Sequence, residues 1–211
     1  MQGYPFVEPG LTIGLLGGSF DPPHEGHVHI TKLALKIFKL SKIWWLVCPE
    51  NPLKGVIPLD LNSRIIASKK IMRHPSVVIT DIEKKFKTKY TFQTLIRLKI
   101  LYPKTKFVWL MGADNLVNFH NWKNWDWIMK NIPVGVLARP EEQIKAGLSL
   151  TATKFKNYRL PKDKSILLSN YCPPAWTLIS GPMRNISSTE IRKKKAITIV
   201  DLLIFIQATY V

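Results

Sequence analysis

The stretch LTIGLLGGSFDPPHEGHVHITKLALKIFKLSKIWWLVCP (11–49) decides the fold. It opens as an uninterrupted apolar run halted by Gly17-Gly18, the pattern of a fully buried strand entering a tight turn. Two prolines follow. HVHITKLALKIFKL (27–40) then places Val28, Leu33, Leu35, Ile37, Phe38 and Leu40 along an amphipathic helix with no proline inside it. KIWWLVCP (42–49), aromatic and β-branched, reads as the next strand. Strand, helix and strand within about forty residues make a βαβ unit of a parallel sheet, with a right-handed crossover.

Outward from this unit the alternation continues. LDLNSRIIASKKIM (59–72) predicts a helix and SVVITDI (76–82) a strand. Residues 88–101 predict a helix entered through TKYT, and KFVWLMG (106–112) a buried strand. A short helix over 124–130 and a strand in PVGVLA (133–138) come next. SILLSN (165–170) and AWTLIS (175–180) offer two more strands before SSTEIRKKK (187–195) opens a terminal helix. The polar stretch 141–164 is expected to be irregular, a lid or an edge insertion. Near-continuous apolar strands separated by helices predict an α/β three-layer sandwich with a mostly parallel, Rossmann-like sheet. At 211 residues the chain fits one domain spanning 1–211 and is too short for a (β/α)8 barrel.

Lys and Arg number 31 against 14 acidic residues, a formal charge of +17. That excess attracts anions through the summed field of the protein: polyphosphates, nucleic acid or an anionic membrane surface. The charge is mostly Lys and scattered, which a solvated surface explains, and no sequence-reading nucleic-acid module is present. Cys48 and Cys172 show no metal-ligand spacing. MQGYPFVEPG (1–10) lacks the features of a secretory signal. AITIVDLLIFIQATYV (196–211) contains Asp201 and Gln207 and falls short of a bilayer span, so it reads as a buried helix or strand-helix pair. The expected location is cytoplasmic, with no membrane partner.

Ligands of open α/β sheets bind beyond the carboxyl ends of the strands. GGSFDPPHEGH (17–27) lies there, its glycines permitting close backbone approach and its helix start offering N–H groups and a positive dipole end to a phosphate. His24 and His27, three apart, can point both rings to one mouth, and imidazole donors suit non-bridging phosphate oxygens. The alternative is that they cap the helix, or with His29 bind a metal, although His29 falls away from His27 on a helix. GPMRNISSTEIRKK (181–194) is a second helix start, where Ser187 and Glu190 have capping-box spacing and the hydroxyls suit a phosphate equally. In MGADNLVNFHNWKNWDWI (111–128), Asp114 follows a buried strand and is placed to accept from ribose hydroxyls. Among Trp122, Trp125 and Trp127, core packing explains one or two, and stacking on a flat substrate would explain one. Neither GxxxxGK[ST] nor GxGxxG occurs.

GGSFDPPHEGH together with ISSTEIR (186–192) resembles the nucleotidyltransferase superfamily with a histidine-any-glycine-histidine motif. NPLK (51–54), KYTFQTL (89–95), MGADNLVNFHNW (111–122) and LARP (137–140) add a resemblance to the bacterial nicotinate-nucleotide adenylyltransferases. The motifs span roughly 11–194 in the expected order. The resemblance implies an enzyme of NAD biosynthesis that joins ATP and nicotinate mononucleotide into deamido-NAD and pyrophosphate, with Mg2+. It implies that His24 and His27 hold the ATP phosphates, helped by Lys54 and Arg192. Gly17, Gly18, Ser19 and Phe20 would approach the transferred phosphate, with Asp114 near the ribose. Ile186, Ser188, Thr189 and Arg192 would line the ATP side. Lys54, Thr91, Trp122 and Arg139 would face nicotinate mononucleotide. No protein-held metal, no nucleic acid and a monomer or homodimer are expected.

Two departures from the family pattern stand out. Leu53 replaces the proline or histidine that often precedes the basic residue of NPLK. After Arg192, KKKAITIVDLLIFIQATYV (193–211) runs on apolar where the family has a Gly-containing turn and a short helix; it is a divergent terminal helix or an altered reading frame. Rival readings are an adenylyltransferase acting on nicotinamide mononucleotide or phosphopantetheine, a cytidylyltransferase, or, in another class, a basic nucleic-acid-binding protein.

Overall fold

A computed structural model of the chain describes residues 3–50, 58–138 and 140–181, together with 188, 191 and 192. Six strands form one sheet: β1 (Thr12–Gly18), β2 (Lys42–Val47), β3 (Val77–Thr80), β4 (Lys106–Gly112), β5 (Val134–Ala138) and β6 (Trp176–Ser180). Their order is β3-β2-β1-β4-β5-β6 and every pairing is parallel. The chain therefore runs outward one way from β1 through β3, then returns to β4 on the other side of β1. That reversal opens a crevice at the carboxyl ends of β1 and β4.

Among the described residues the strands are joined by α1 (Glu25–Ile37), α2 (Leu61–Ile71), α3 (Ile82–Phe86), α4 (Thr91–Leu101), α5 (Ala113–Asn118), α6 (Trp125–Asn131), α7 (Gln143–Gly147) and α8 (Leu150–Lys154). Alternate strand residues feed two separate cores. Ile13, Leu15, Trp44, Leu46, Trp109 and Met111 pack with α3, α4, α5 and α6. Leu16, Ile43, Trp45, Val47, Val108 and Leu110 pack with α1 and α2 on the opposite face. Both faces being covered, each strand must be apolar at nearly every position, which is why the strands read as continuous runs. The α/β three-layer reading holds, and the sheet is wholly parallel among the described strands.

Two local expectations are corrected. SILLSN does not form a strand: residues Lys162–Asn170 wind as a 3-10 segment. The place beside β6 is already taken by Arg159 and Leu160, since Arg159 bridges Trp176 in parallel and the Leu160 N–H donates to the Trp176 carbonyl at 2.7 Å. Of that segment Ser165 and Leu168 are buried, while Ile166 and Leu167 stay exposed. Ile82, read as a strand end, instead opens α3, because the chain turns at Asp81 and buries Ile82 and Phe86 against the sheet. Between Gln143 and Lys154 the stretch expected to be irregular forms α7 and α8. Among the described residues no helix is long and apolar enough to cross a membrane, and Cys48 and Cys172 are free thiols. The apolar tail 193–211 lies outside the described residues.

Glu83 of α3 is buried, and burial pushes its carboxyl up to about 7 against the opposing pull of the Thr94 hydroxyl. Thr94 in turn shares a 2.7 Å hydrogen bond with Thr88, tying the start of α4 to the turn after α3. The folded protein keeps this proton to a higher pH than the unfolded chain, whose value stays near 4.5. The associated stability is complete below pH 4.5 and is lost as pH rises through about 7. Chemical unfolding of Glu83→Gln at pH 5 and pH 8 should show the variant gaining on the wild type by roughly 1–3 kcal/mol at the higher pH. An equal difference at both pH values would contradict this account.

Candidate active site

The site is assembled at the crevice where β1 and β4 end. β1 finishes in Gly17-Gly18, and Ser19 to Pro23 lead into α1, whose N-cap is His24. A reciprocal cap closes this helix start. The Nδ1 of His24 accepts from the Gly26 N–H at 3.1 Å, and the Nδ1 of His27 accepts from the His24 N–H at 3.2 Å. The two rings lie 3.8 Å apart between centroids. Capping, one of the alternatives on sequence grounds, is observed for both rings. With Nδ1 committed as acceptor, each neutral ring carries its proton on Nε2. The Gly26 N–H is used up inside the cap, and the His27 N–H is bonded to the His24 carbonyl at 2.9 Å. These two amides are thus spent inside the cap.

The cap rests on an aromatic floor. Phe20, with φ of 48°, turns its ring flat onto Trp45 at 4.6 Å and against His27 at 4.9 Å. Trp45 is held in turn: its indole N–H donates to the Thr31 hydroxyl at 2.8 Å, which donates to the His27 carbonyl at 2.7 Å. Ser19 Oγ is buried without a hydrogen-bond partner among the described residues. A buried unsatisfied hydroxyl costs about 1–3 kcal/mol unless a ligand or water completes it.

The second helix start docks on the same loop. Ser188, Ile191 and Arg192 are helical. The Ser188 hydroxyl donates to the Pro22 carbonyl at 3.0 Å, and the Arg192 guanidinium donates to the Asp21 carbonyl. Residues some 170 positions apart thus sit together, next to the loop that leads into the paired histidines. On the far side of the crevice, Asp114 lies exposed in the first turn of α5 with Oδ1 against Gly112, where an added Cβ would meet it at 2.5 Å. Among the described residues no group of three His, Cys, Asp or Glu side chains is placed to hold a metal ion.

A cytidylyltransferase-like family model matches residues 15–194. A probable nicotinate-nucleotide adenylyltransferase of Ruegeria sp. (strain TM1040) is 55% identical over 188 residues, covering 89% of this chain and 100% of that protein. One from Parvibaculum lavamentivorans is 41% identical over 189 residues, covering 89% and 94%. The chain belongs to the nicotinate-nucleotide adenylyltransferase family. The fold agrees with that of Plasmodium falciparum nicotinic acid mononucleotide adenylyltransferase complexed with NaAD. That likeness has a TM-score of 0.66 at 21% identity, over 87% of this chain and 83% of that one.

Of the residues that the family motifs single out, Gly17, Gly18, Ser19, Phe20, His24, His27, Ser188 and Arg192 come together around one loop. Asp114 stands across the crevice. Trp122 is half-buried, edge-on to Trp109 at 6.1 Å and against Phe119 at 5.0 Å. Trp125 packs on Phe155, the core use expected of a neighbouring tryptophan. Thr91 is the first residue of α4 and is half-buried. Lys54, Arg139, Ile186 and Thr189 lie outside the described residues.

Two members of this constellation escaped the sequence reading. Trp109 was taken only as part of an apolar strand, yet its ring fills the space beside Gly17, where a Cβ would come within 2.5 Å of Cη2. Arg64, only 2% exposed, lies in the stretch 59–72, which predicts a helix but no site residue. A lone cation on the buried stripe of α2, one helical turn before Ser68, was the available signal.

The Gly17–Trp109 contact generates a prediction. Trp109 is enclosed, so it cannot yield freely to an added methyl group, and Gly17→Ala should lower stability by about 1–3 kcal/mol in urea unfolding. In a Trp109→Phe background the same substitution should cost clearly less. Identical costs in both backgrounds would mean the two residues do not press on each other.

Proposed function

We propose that this protein transfers the adenylyl group of ATP to nicotinate mononucleotide, releasing pyrophosphate and forming deamido-NAD. The reading is carried by one observation: the Ser188–Arg192 turn and the His24–His27 pair are docked on a single loop at the sheet's switch point. Two helix beginnings with hydroxyl, guanidinium and imidazole donors form a cradle for a polyanion.

The reaction is an in-line displacement at the α-phosphorus, with the 5′-phosphate of the mononucleotide as nucleophile and pyrophosphate as leaving group. The nucleophile arrives already ionised, so no side chain need form a covalent bond or remove a proton. What remains for the protein is orientation of two mutually repelling polyanions and stabilisation of charge on the transferred group. His24 and His27 would donate from Nε2 to phosphate oxygens, and Ser19, Gly17 and Gly18 would stand closest to the α-phosphate. Arg192 and Lys54 would supply fixed positive charge. The described donor set is one for anions, so Mg2+ is assigned to the substrate, as the magnesium complex of ATP. Trp122, Thr91 and Arg139 would receive the nicotinate half, and Asp114, Ile186, Ser188 and Thr189 the adenosine half. The protein would act in the cytoplasm, as a monomer or homodimer.

Incubation with ATP, Mg2+ and nicotinate mononucleotide should release pyrophosphate and yield deamido-NAD. Nicotinamide mononucleotide should be used at least ~10-fold less efficiently in kcat/KM. Pyrophosphate release with neither mononucleotide would refute the assignment, and equal use of both would refute the substrate preference. His27→Ala should lose ~10²-fold or more in kcat, as expected when a donor to the developing charge is removed. An unchanged kcat would exclude His27 from the mechanism.

A further inference from the structure

Arg64 stands on the first turn of α2 and is almost wholly enclosed, at 2% exposure. A buried guanidinium normally sits against a carboxylate, because an unpaired charge in the interior is costly. Among the described residues Arg64 makes no such ion pair; its partners are four backbone carbonyls. Nε donates to Leu59 at 2.7 Å, Nη1 to Ser19 at 2.6 Å and to Cys48 at 2.8 Å, and Nη2 to Pro49 at 3.0 Å. One planar group thereby binds three separate segments. These are the loop leaving β1, the loop leaving β2 and the entry to α2. The same entry is tied to the first loop by the Leu59 N–H, which donates to Asp21 Oδ2 at 3.4 Å.

Stability alone would be served by an apolar side chain and carbonyls turned to solvent. The bond to Ser19 has a further consequence. Ser19–Phe20 is a trans peptide, in which C=O and N–H point in opposite directions. Holding the Ser19 carbonyl toward α2 and the β2 side turns the Phe20 N–H the opposite way, away from Arg64. The unpartnered Ser19 Oγ belongs to the same residue. Were this peptide to flip, a carbonyl oxygen would face the polyanion and a donor would be lost.

We infer that Arg64 is a positioning residue for adenylyl transfer: by holding the Ser19, Cys48 and Pro49 carbonyls it fixes the Ser19–Phe20 peptide with its N–H toward the transferring phosphate. It does not touch substrate. The inference rests on the adenylyl-transfer reading above and adds the device that prepares the amide donor. Lysine in its place keeps the charge but has one nitrogen, which cannot span three segments with fixed planar geometry.

The test compares wild type, Arg64→Lys and Arg64→Ala at saturating ATP–Mg2+ and nicotinate mononucleotide, with kcat corrected for the folded fraction from near-UV circular dichroism. Folded Arg64→Lys should lose roughly 10²-fold in kcat with both KM values within about 3-fold of wild type, the signature of a donor lost from the transition state. Millimolar guanidinium should restore kcat to Arg64→Ala by at least ~10-fold and leave His27→Ala unaffected. A corrected kcat for Arg64→Lys within about 3-fold of wild type would overturn the inference, as would an activity loss fully accounted for by a smaller folded fraction. Should neither variant fold, the wild type decides. Its Phe20 amide proton should move downfield on addition of α,β-methylene-ATP with Mg2+, and an unmoved resonance overturns the inference. Absence of pyrophosphate from the wild type would instead sink the activity, a separate failure from normal wild-type turnover with Arg64→Lys unimpaired.

Discussion

The reciprocal cap between His24 and His27 is the contact on which the rest of the site depends. Each ring accepts a backbone N–H through Nδ1, so the helix start is closed by the two histidines of the family motif. A cap of aspartate would satisfy the same amides but present a negative charge to the crevice. Imidazole is the side chain that accepts on one edge and donates from the other while uncharged. The proposed function thus asks one pair of rings both to close the helix and to meet substrate. The aromatic floor of Phe20 and Trp45 holds that pair from beneath, and the Thr31 hydroxyl links floor to helix.

Around this cap the sheet supplies location. Order reversal at β1 and β4 leaves a crevice that no crossover helix covers, and each element bordering it contributes from its start or its end. The loop after β1 is held from two sides: Ser188 and Arg192 grip Asp21 and Pro22, while Arg64 grips Ser19. Such double anchoring fits a reaction that needs orientation more than acid–base chemistry, since a displaced donor weakens the transition state as surely as a missing one. The cost falls on α2, which must bury a guanidinium, and on β1, which must keep Gly17 bare for Trp109.

Much of this was legible before any coordinates. Continuous apolar runs at 11–16, 42–49, 106–112 and 133–138 identified parallel strands because both faces of the sheet are covered, and GGSFDPPHEGH with ISSTEIR marked two segments that the structure brings together through Ser188 and Arg192. Two kinds of information were not local. SILLSN has strand-like composition, but the sheet edge it would occupy is filled by Arg159 and Leu160, a matter of tertiary competition. Arg64 reads as a surface cation because periodicity records polarity, not the carbonyls that a buried guanidinium finds in distant loops. The tautomer of the histidines was likewise unreadable, since spacing gives proximity and only hydrogen-bond geometry says which nitrogen carries the proton.

That tautomer is also where the account is most exposed. Long-range 15N-edited NMR on the histidine rings reports which nitrogen is protonated and which nucleus a ligand perturbs. Both His24 and His27 should appear as Nε2–H tautomers in the free protein, and α,β-methylene-ATP with Mg2+ should shift their Nε2 resonances while Nδ1 keeps its acceptor character. Protonation of Nδ1 in either free ring, or Nε2 resonances indifferent to the nucleotide, would contradict the claim that one pair of rings closes the helix and holds the triphosphate.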